Sequence, residues 1–260
     1  MSKIYFFSFV NSLEYKLLIK FIEYYLKINV KPENMYIILH IQEKYRKENN
    51  LSIRESINIL IKHKIKFKIV NDYSSKIKKD YVNSYIKKLE INSWLIYPDL
   101  DEFFNYRSKC IYSFIGGMER KKISLVNGIF LNRLSQNYEL KEINKEKNIF
   151  KQYPLTFYDD DDKISKNYSK TKIMALKIYE NTEYYNSHKI LNYDKYKVYK
   201  KIYDINHFKF TKYTINSIKN KIKVYNTINP KRSNKYKEQL KIFIKKKNKW
   251  YVNKDIYIKE

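Results

Sequence analysis

Residues 94–104 read WLIYPDLDEFF, an apolar run and a proline followed by Asp99, Asp101 and Glu102 within four positions. Carboxylates one residue apart suit a hard divalent cation. Mg2+ and Mn2+ prefer oxygen ligands and commonly take only one or two of them from protein, with phosphate oxygens and water completing the shell. Such a cation would neutralise a diphosphate and stabilise it as a leaving group. In extended chain, a one-residue spacing would also point Asp99 and Asp101 to the same side. The alternative is a solvated turn whose acids cap the start of a helix and complement its dipole. Glu102 is open to both readings, as a further acid behind a metal or as a helix cap.

The elements that position these acids follow from periodicity. Lys3 to Val10 is rich in aromatics and alternates loosely, which predicts a first strand. Asn11 and Glu14 have the spacing of a capping box, and Leu13, Leu17, Phe21, Tyr24 and Ile28 follow at helical intervals. MYIILH (35–40) predicts strand two. Ser52 and Glu55 repeat the capping spacing ahead of Ile57, Leu60 and Ile61. Phe67 to Val70 predicts strand three, Ile77, Tyr81, Tyr85 and Leu89 a third helix, and Trp94 to Tyr97 strand four. The order βαβαβαβ argues for a largely parallel sheet covered by helices on both faces. In such sheets ligands bind beyond the carboxyl ends of the strands, where the acids of strand four fall. Beyond residue 105 a short helix (110–120), a long strand with an internal glycine (123–133), a polar loop with four consecutive aspartates (159–162) and a strand (172–179) are expected. Ile215, Ile218, Ile222 and Tyr225 predict one C-terminal helix, and Tyr236, Leu240 and Phe243 another.

Composition sets the bounds. The 260 residues suffice for one large domain or two small ones, and a single cysteine, Cys110, leaves no intrachain disulfide and no cysteine-based zinc site. No apolar run reaches the roughly 18 to 20 residues of a membrane span, and the N-terminal IYFFSFV lacks the small-residue cleavage site of a signal peptide, so a cytoplasmic protein is expected. The net charge of +27 comes almost wholly from 48 lysines, against 6 arginines. Lysine, isoleucine, asparagine and tyrosine are the products of A/T-rich codons, and a nucleic-acid binder would also use the planar fork of arginine. Nucleic acid is therefore not expected as a partner. The charge is concentrated in residues 195–260, with 20 basic and 4 acidic side chains, which admits peripheral contact with an anionic surface.

The 94–104 segment resembles the W-x-(apolar)-x-x-D-x-D-E-F motif of family-2-like and family-92-like glycosyltransferases of the GT-A, nucleotide-sugar fold. Other segments are similar in the same order: Asn11 and Glu14 followed by KFIEYYLKI; GIFLNRLSQNYELKEI (128–143); IFKQYPLTF (149–157); KTKIMALKI; Ser187-His188; and Asn206-His207-Phe208-Lys209. The resemblance spans about residues 3–225. The chain departs from the family at Asn132, where an aspartate is usual, and at Asn29 or Val30, where a glycine ends the first helix. It departs again at His40-Ile41-Gln42, where many relatives have an acidic turn.

The resemblance implies an α/β, GT-A-like (Rossmann-like), mostly parallel sheet flanked by helices over residues 1–210, with a basic helical extension at 211–260 packed on it. It implies transfer of a hexose-type sugar, with inversion, from a nucleotide-diphosphate donor to a glycan, protein or lipid-linked acceptor. Mn2+ or Mg2+ would be held by Asp99, Asp101 and His207. Asn11, Glu14, Asp99, Arg133, Lys172 and Lys209 would bind the donor, with Glu102 and His188 in lesser roles, and the 123–210 segment would shape the acceptor side. No catalytic base is indicated. An aspartate-nucleophile phosphatase is excluded on detail, because Phe103 and Phe104 stand where Gly-Thr should follow. A non-enzymatic binder of nucleic acid or another polyanion through the basic C-terminal region is the rival reading.

Overall fold

The computed structural model describes residues 2–42, 50–158, 171–186 and 189–245. The chain divides into two compact units, Met1–Phe130 with Ser165–Asn206, and Leu131–Ile164 with His207–Glu260. In chain order the main elements are β1 (Ile4–Asn11), α1 (Tyr15–Lys27), β2 (Met35–His40), α2 (Leu51–Lys62), β3 (Lys66–Val70), α3 (Ser75–Ile86), β4 (Trp94–Ile96), β5 (Glu102–Asn105), α4 (Ile111–Arg120) and β6 (Leu125–Leu134). They continue with α5 (Ile149–Gln152), β7 (Leu155–Phe157), β8 (Lys172–Lys177), β9 (Tyr203–His207), α6 (Tyr213–Ile228) and α7 (Pro230–Lys245).

In the first unit the strand order is β3-β2-β1-β4-β8-β6-β9-β5. The strands β3, β2, β1 and β4 run parallel. β8 is antiparallel to both β4 and β6. This is the α/β, Rossmann-like architecture expected from the alternation of elements. The central position of β1 explains its composition. Phe6 and Phe7 point to opposite faces and both are fully buried, as a strand covered on two sides requires. Phe6 packs on Phe21 and Tyr25 of α1, with ring centroids 5.7 and 4.7 Å apart. Phe7 meets Tyr85 of α3 and Tyr97 beyond β4, both at 5.3 Å. β3 lies at the sheet margin, and its exposed Lys66 and Lys68 discourage pairing with another strand.

Helix boundaries follow local chemistry and correct two expectations. Asn11 caps as expected, its side chain accepting from the Leu13 N–H at 3.1 Å, but it caps a short 3-10 turn, Ser12–Glu14, that leads into α1. The second helix starts earlier than the Ser52/Glu55 spacing suggests, because Asn50 is the cap and accepts from the Ser52 N–H at 2.9 Å. At the end of α1, Asn29 has φ of 66°, and the Asn29 and Val30 N–H groups return to Leu26 and Tyr25 carbonyls. This left-handed closure is where the resemblance expects glycine, and asparagine is the side chain that tolerates it next best.

Gly128 in β6 has a different reason. A Cβ there would lie 2.3 Å from Met174 Sδ of β8 and 2.7 Å from Ile205 Cγ1 of β9, so the strand neighbours leave room only for hydrogen.

In the second unit the end of β6 pairs antiparallel with β7. The helices α6 and α7 are joined at Asn229 and form the two expected C-terminal helices. Ile215, Ile218, Ile222, Tyr236 and Leu240 face a small core of Leu134, Leu140, Leu155, Phe157 and Phe210. The Asp159–Asp162 run, His188 and the side chain of Phe243 lie outside what is described. No described helix is long and apolar enough to cross a membrane.

Candidate functional site

Parallel pairing of β1, β2, β3 and β4 brings their carboxyl ends to one edge, where Asn11, His40, Asn71 and the 97–102 segment follow their strands. β4 is short and ends at Ile96. The backbone then leaves the extended conformation, so the side-to-side argument for Asp99 and Asp101 gives way to a turn. The Glu102 N–H donates to the Asp99 carbonyl at 3.0 Å, and the Glu102 carboxylate accepts from the Asp99 N–H at 2.8 Å. This reciprocal pair closes a four-residue turn with Asp99 first, Asp101 third and Glu102 last. Glu102 thus caps no helix. It is the first residue of β5 and locks the turn from within. The Ser8 hydroxyl of β1 fixes the entry to the turn by donating to the Pro98 carbonyl at 2.9 Å.

Two lysines meet these acids. Lys172 is the first residue of β8. Antiparallel pairing of β4 with β8 brings the start of β8 to the carboxyl end of β4. Its ammonium is wholly buried and pairs with Asp99 Oδ2 at 3.1 Å and with Glu102 Oε2. Lys78, in the first turn of α3, is also buried and pairs with Asp99 Oδ1. Each oxygen of Asp99 therefore has its own ammonium. The Tyr97 ring lies against both, 5.5 Å from Lys78 Nζ and 5.6 Å from Lys172 Nζ. The Tyr97 hydroxyl and the Lys172 ammonium are both buried without a partner in hydrogen-bond geometry among the described residues, so Lys172 is held to the acids as an ion pair.

The electrostatics follow from this geometry. Burial by itself would raise Asp99, but the charges of Lys172 and Lys78 outweigh it and hold its carboxyl well below the usual carboxylate range. Glu102 moves the other way. Burial pushes it up to about 7 against the pull of Lys172, and the neighbouring charges of Asp99 and Asp101 add to the rise. Asp101, the third residue of the turn, is half-buried.

The expected residues divide by unit. Asn11, Glu14, Asp99, Asp101, Glu102 and Lys172 belong to the first. Within it, Asp99, Asp101, Glu102 and Lys172 form one cluster, while the Asn11 side chain is engaged in its cap. Arg133, His207 and Lys209 belong to the second unit. There His207 Nδ1 lies 2.9 Å from Asn132 Oδ1. Arg133 donates to the Pro154 carbonyl at 3.4 Å and stacks on Phe150. Lys209 is exposed beside Phe210.

As it stands, Asp99, one of the three expected ligands, does not fit a divalent cation. Both oxygens of Asp99 and one of Glu102 are taken by ammonium groups. Among the described residues no three His, Cys, Asp or Glu side chains gather as a metal site.

Two features of the edge are not legible in the sequence. Lys78 is one of 48 lysines and has no distinguishing spacing; only the position of α3 gives it a role. Tyr73, just beyond β3, is 58 % exposed and packs on Phe9 and His40 with ring centroids 5.4 Å away in each case. His40 itself is buried, its Nε2 3.1 Å from the Asn71 carbonyl, and burial lowers its pKa.

No protein-family model matches the chain, and no curated protein matches it. Among solved structures it is similar to the crystal structure of S. aureus TarS, with 11 % identity and a TM-score of 0.31. The match covers 54 % of this chain and 24 % of that one, so the chain spans about a quarter of TarS. A likeness at that level carries no argument about what the chain does.

Proposed function

We propose that this chain is a glycosyltransferase that moves a sugar from a nucleotide-diphosphate donor to an acceptor hydroxyl. The observation that carries the reading is the placement of the PDLDEFF turn at the carboxyl edge of four parallel strands, where doubly wound sheets bind their ligands. The ordered motifs described above supply the chemical class. An exposed aromatic at the same edge, Tyr73, offers a flat apolar surface of the kind a nucleotide base stacks on.

Sugar transfer passes through an oxocarbenium-like state while negative charge grows on the departing diphosphate. A protein accelerates it by fixed positive charge and hydrogen-bond donors aimed at the leaving group. At the turn that charge belongs to Lys78 and Lys172, and Asp99 and Glu102 hold it in place. Asp101, half-buried in the same turn, is the carboxylate we assign to contact with the donor. Inversion is the stereochemical course we favour from the motifs, with the acceptor a glycan, protein or lipid-linked hydroxyl.

The test is turnover. Incubation with UDP- and GDP-sugars and release of UDP or GDP, followed by a coupled assay, should identify one donor that is consumed. Asp101→Asn should reduce the rate at least tenfold with the fold intact. A chain that binds a nucleotide sugar but releases no nucleotide from any donor or acceptor would contradict the enzymatic reading.

A further inference from the structure

We propose that Lys78 and Lys172 stand in place of a divalent cation at the PDLDEFF turn, closing Asp99 to metal and presenting the positive charge that a nucleotide's diphosphate needs. The proposal rests on the reading of this edge as the donor site. Three observations carry it.

First, the pairing at Asp99 is complete. Lys78 takes Oδ1 and Lys172 takes Oδ2, and Lys172 also takes Oε2 of Glu102, whose carboxylate is already committed to the Asp99 N–H. A dication entering at Asp99 would have to displace an ammonium and then lie beside two like charges in a site with little water to screen them. Second, neither lysine is free to withdraw. Lys172 is fully buried on β8 and the Lys78 side chain is 9 % exposed, with the Tyr97 ring against both. Withdrawal of either would leave one oxygen of the partly buried Asp99 carboxylate without its ammonium. Third, the cluster is graded in exposure, with Asp99 the most open member and Lys172 the least. The Asp99 side chain is 25 % exposed while that of Glu102 is 3 % exposed. Lys78 is the less buried of the two lysine side chains, and we assign to it the contact with the phosphate oxygens, as a point charge. Lys172 is a positioning residue behind it.

The mechanism needs no new covalent step. The diphosphate departs with its electron pair, and the charge it gains is met by the Lys78 ammonium rather than by a metal ion.

Calorimetry of UDP and GDP binding, in EDTA and in MnCl2, tests this on the wild-type chain, Lys78→Gln and Lys78→Arg, with the electron paramagnetic resonance of Mn2+ followed in parallel. Wild type should leave the free-ion Mn2+ signal unchanged and bind its nucleotide equally in both buffers. Lys78→Gln should bind at least tenfold more weakly in EDTA and recover in Mn2+, because an Asp99 oxygen is then available and the ion signal falls. Lys78→Arg should retain metal-independent binding. A merely structural lysine would not convert the chain from metal-indifferent to metal-dependent. Nucleotide binding by wild type only in Mn2+ would overturn the proposal and leave the donor-site reading standing. Binding in neither buffer would remove that reading and this proposal with it.

Discussion

At the scale of single residues, Asp99 and Glu102 of PDLDEFF are held by buried lysines, and the consequences are measurable. Replacing Lys172 with methionine removes the ammonium shared by Asp99 and Glu102. Breaking one partner out of a buried pair typically costs about 3–5 kcal/mol, so Lys172→Met should lower the denaturation midpoint sharply. The pH dependence has a definite sign. Glu102 is raised from 4.5 to about 7, so the folded chain binds a proton that the unfolded chain gives up. Its contribution is fully present below about pH 4.5 and is lost as pH rises through about 7, on the order of 3 kcal/mol in all. Asp99 acts oppositely. Its depressed carboxyl contributes stability above the unfolded value near 3.8, and that is lost only under stronger acid. Denaturation midpoints should therefore decline between pH 5 and pH 8, and Glu102→Gln should flatten the decline. An unchanged slope in that variant would show that Glu102 is not the titrating group. The acids themselves are plain in the sequence, as is Lys172, which falls in a motif. Lys78 is not, because nothing local separates it from the other lysines, and only tertiary packing puts an α3 side chain beside a turn after β4.

At the scale of elements, the alternation of strands and helices was legible because aromatic and branched apolar runs alternate with helical spacing through the first hundred residues. The conformation between elements was less so. A D-x-D following a strand looks extended, and the turn is set instead by a side chain reaching back, Glu102 to the Asp99 N–H. The start of α2 shows the same limit. Ser52 and Glu55 have capping spacing, but Asn50 holds the position. Asn50→Ala should cost about 1 kcal/mol while Ser52→Ala should be near neutral, as read by urea denaturation. Gly128 gives a sharper test. A methyl group there meets Met174 and Ile205 on neighbouring strands, so Gly128→Ala should destabilise by about 1–3 kcal/mol, the usual cost of overpacking. By contrast Asn29→Gly, at a φ of 66°, should be neutral or mildly stabilising.

At the scale of the whole molecule, the net charge of +27 is the most conspicuous property of the sequence and the least informative about the site. At the candidate edge the lysines that count are buried and already paired with carboxylates. Most of the other described lysines are exposed, such as Lys219, Lys221, Lys223, Lys231, Lys235 and Lys241 along α6 and α7. Such exposed charge would make any polyanion binding fall steeply with salt. Binding at the edge, with its partly buried charges, should depend on salt far less. The central claim is that a nucleotide diphosphate binds at the carboxyl edge of β1–β4. Isothermal calorimetry of UDP and GDP at physiological salt tests it most directly, on wild type and on Tyr73→Ala and Asp101→Asn. Saturable one-to-one binding of one nucleotide, weakened at least tenfold in both variants while their melting curves stay close to wild type, is the predicted result. Binding that both variants leave untouched, or no binding of either nucleotide, would contradict it.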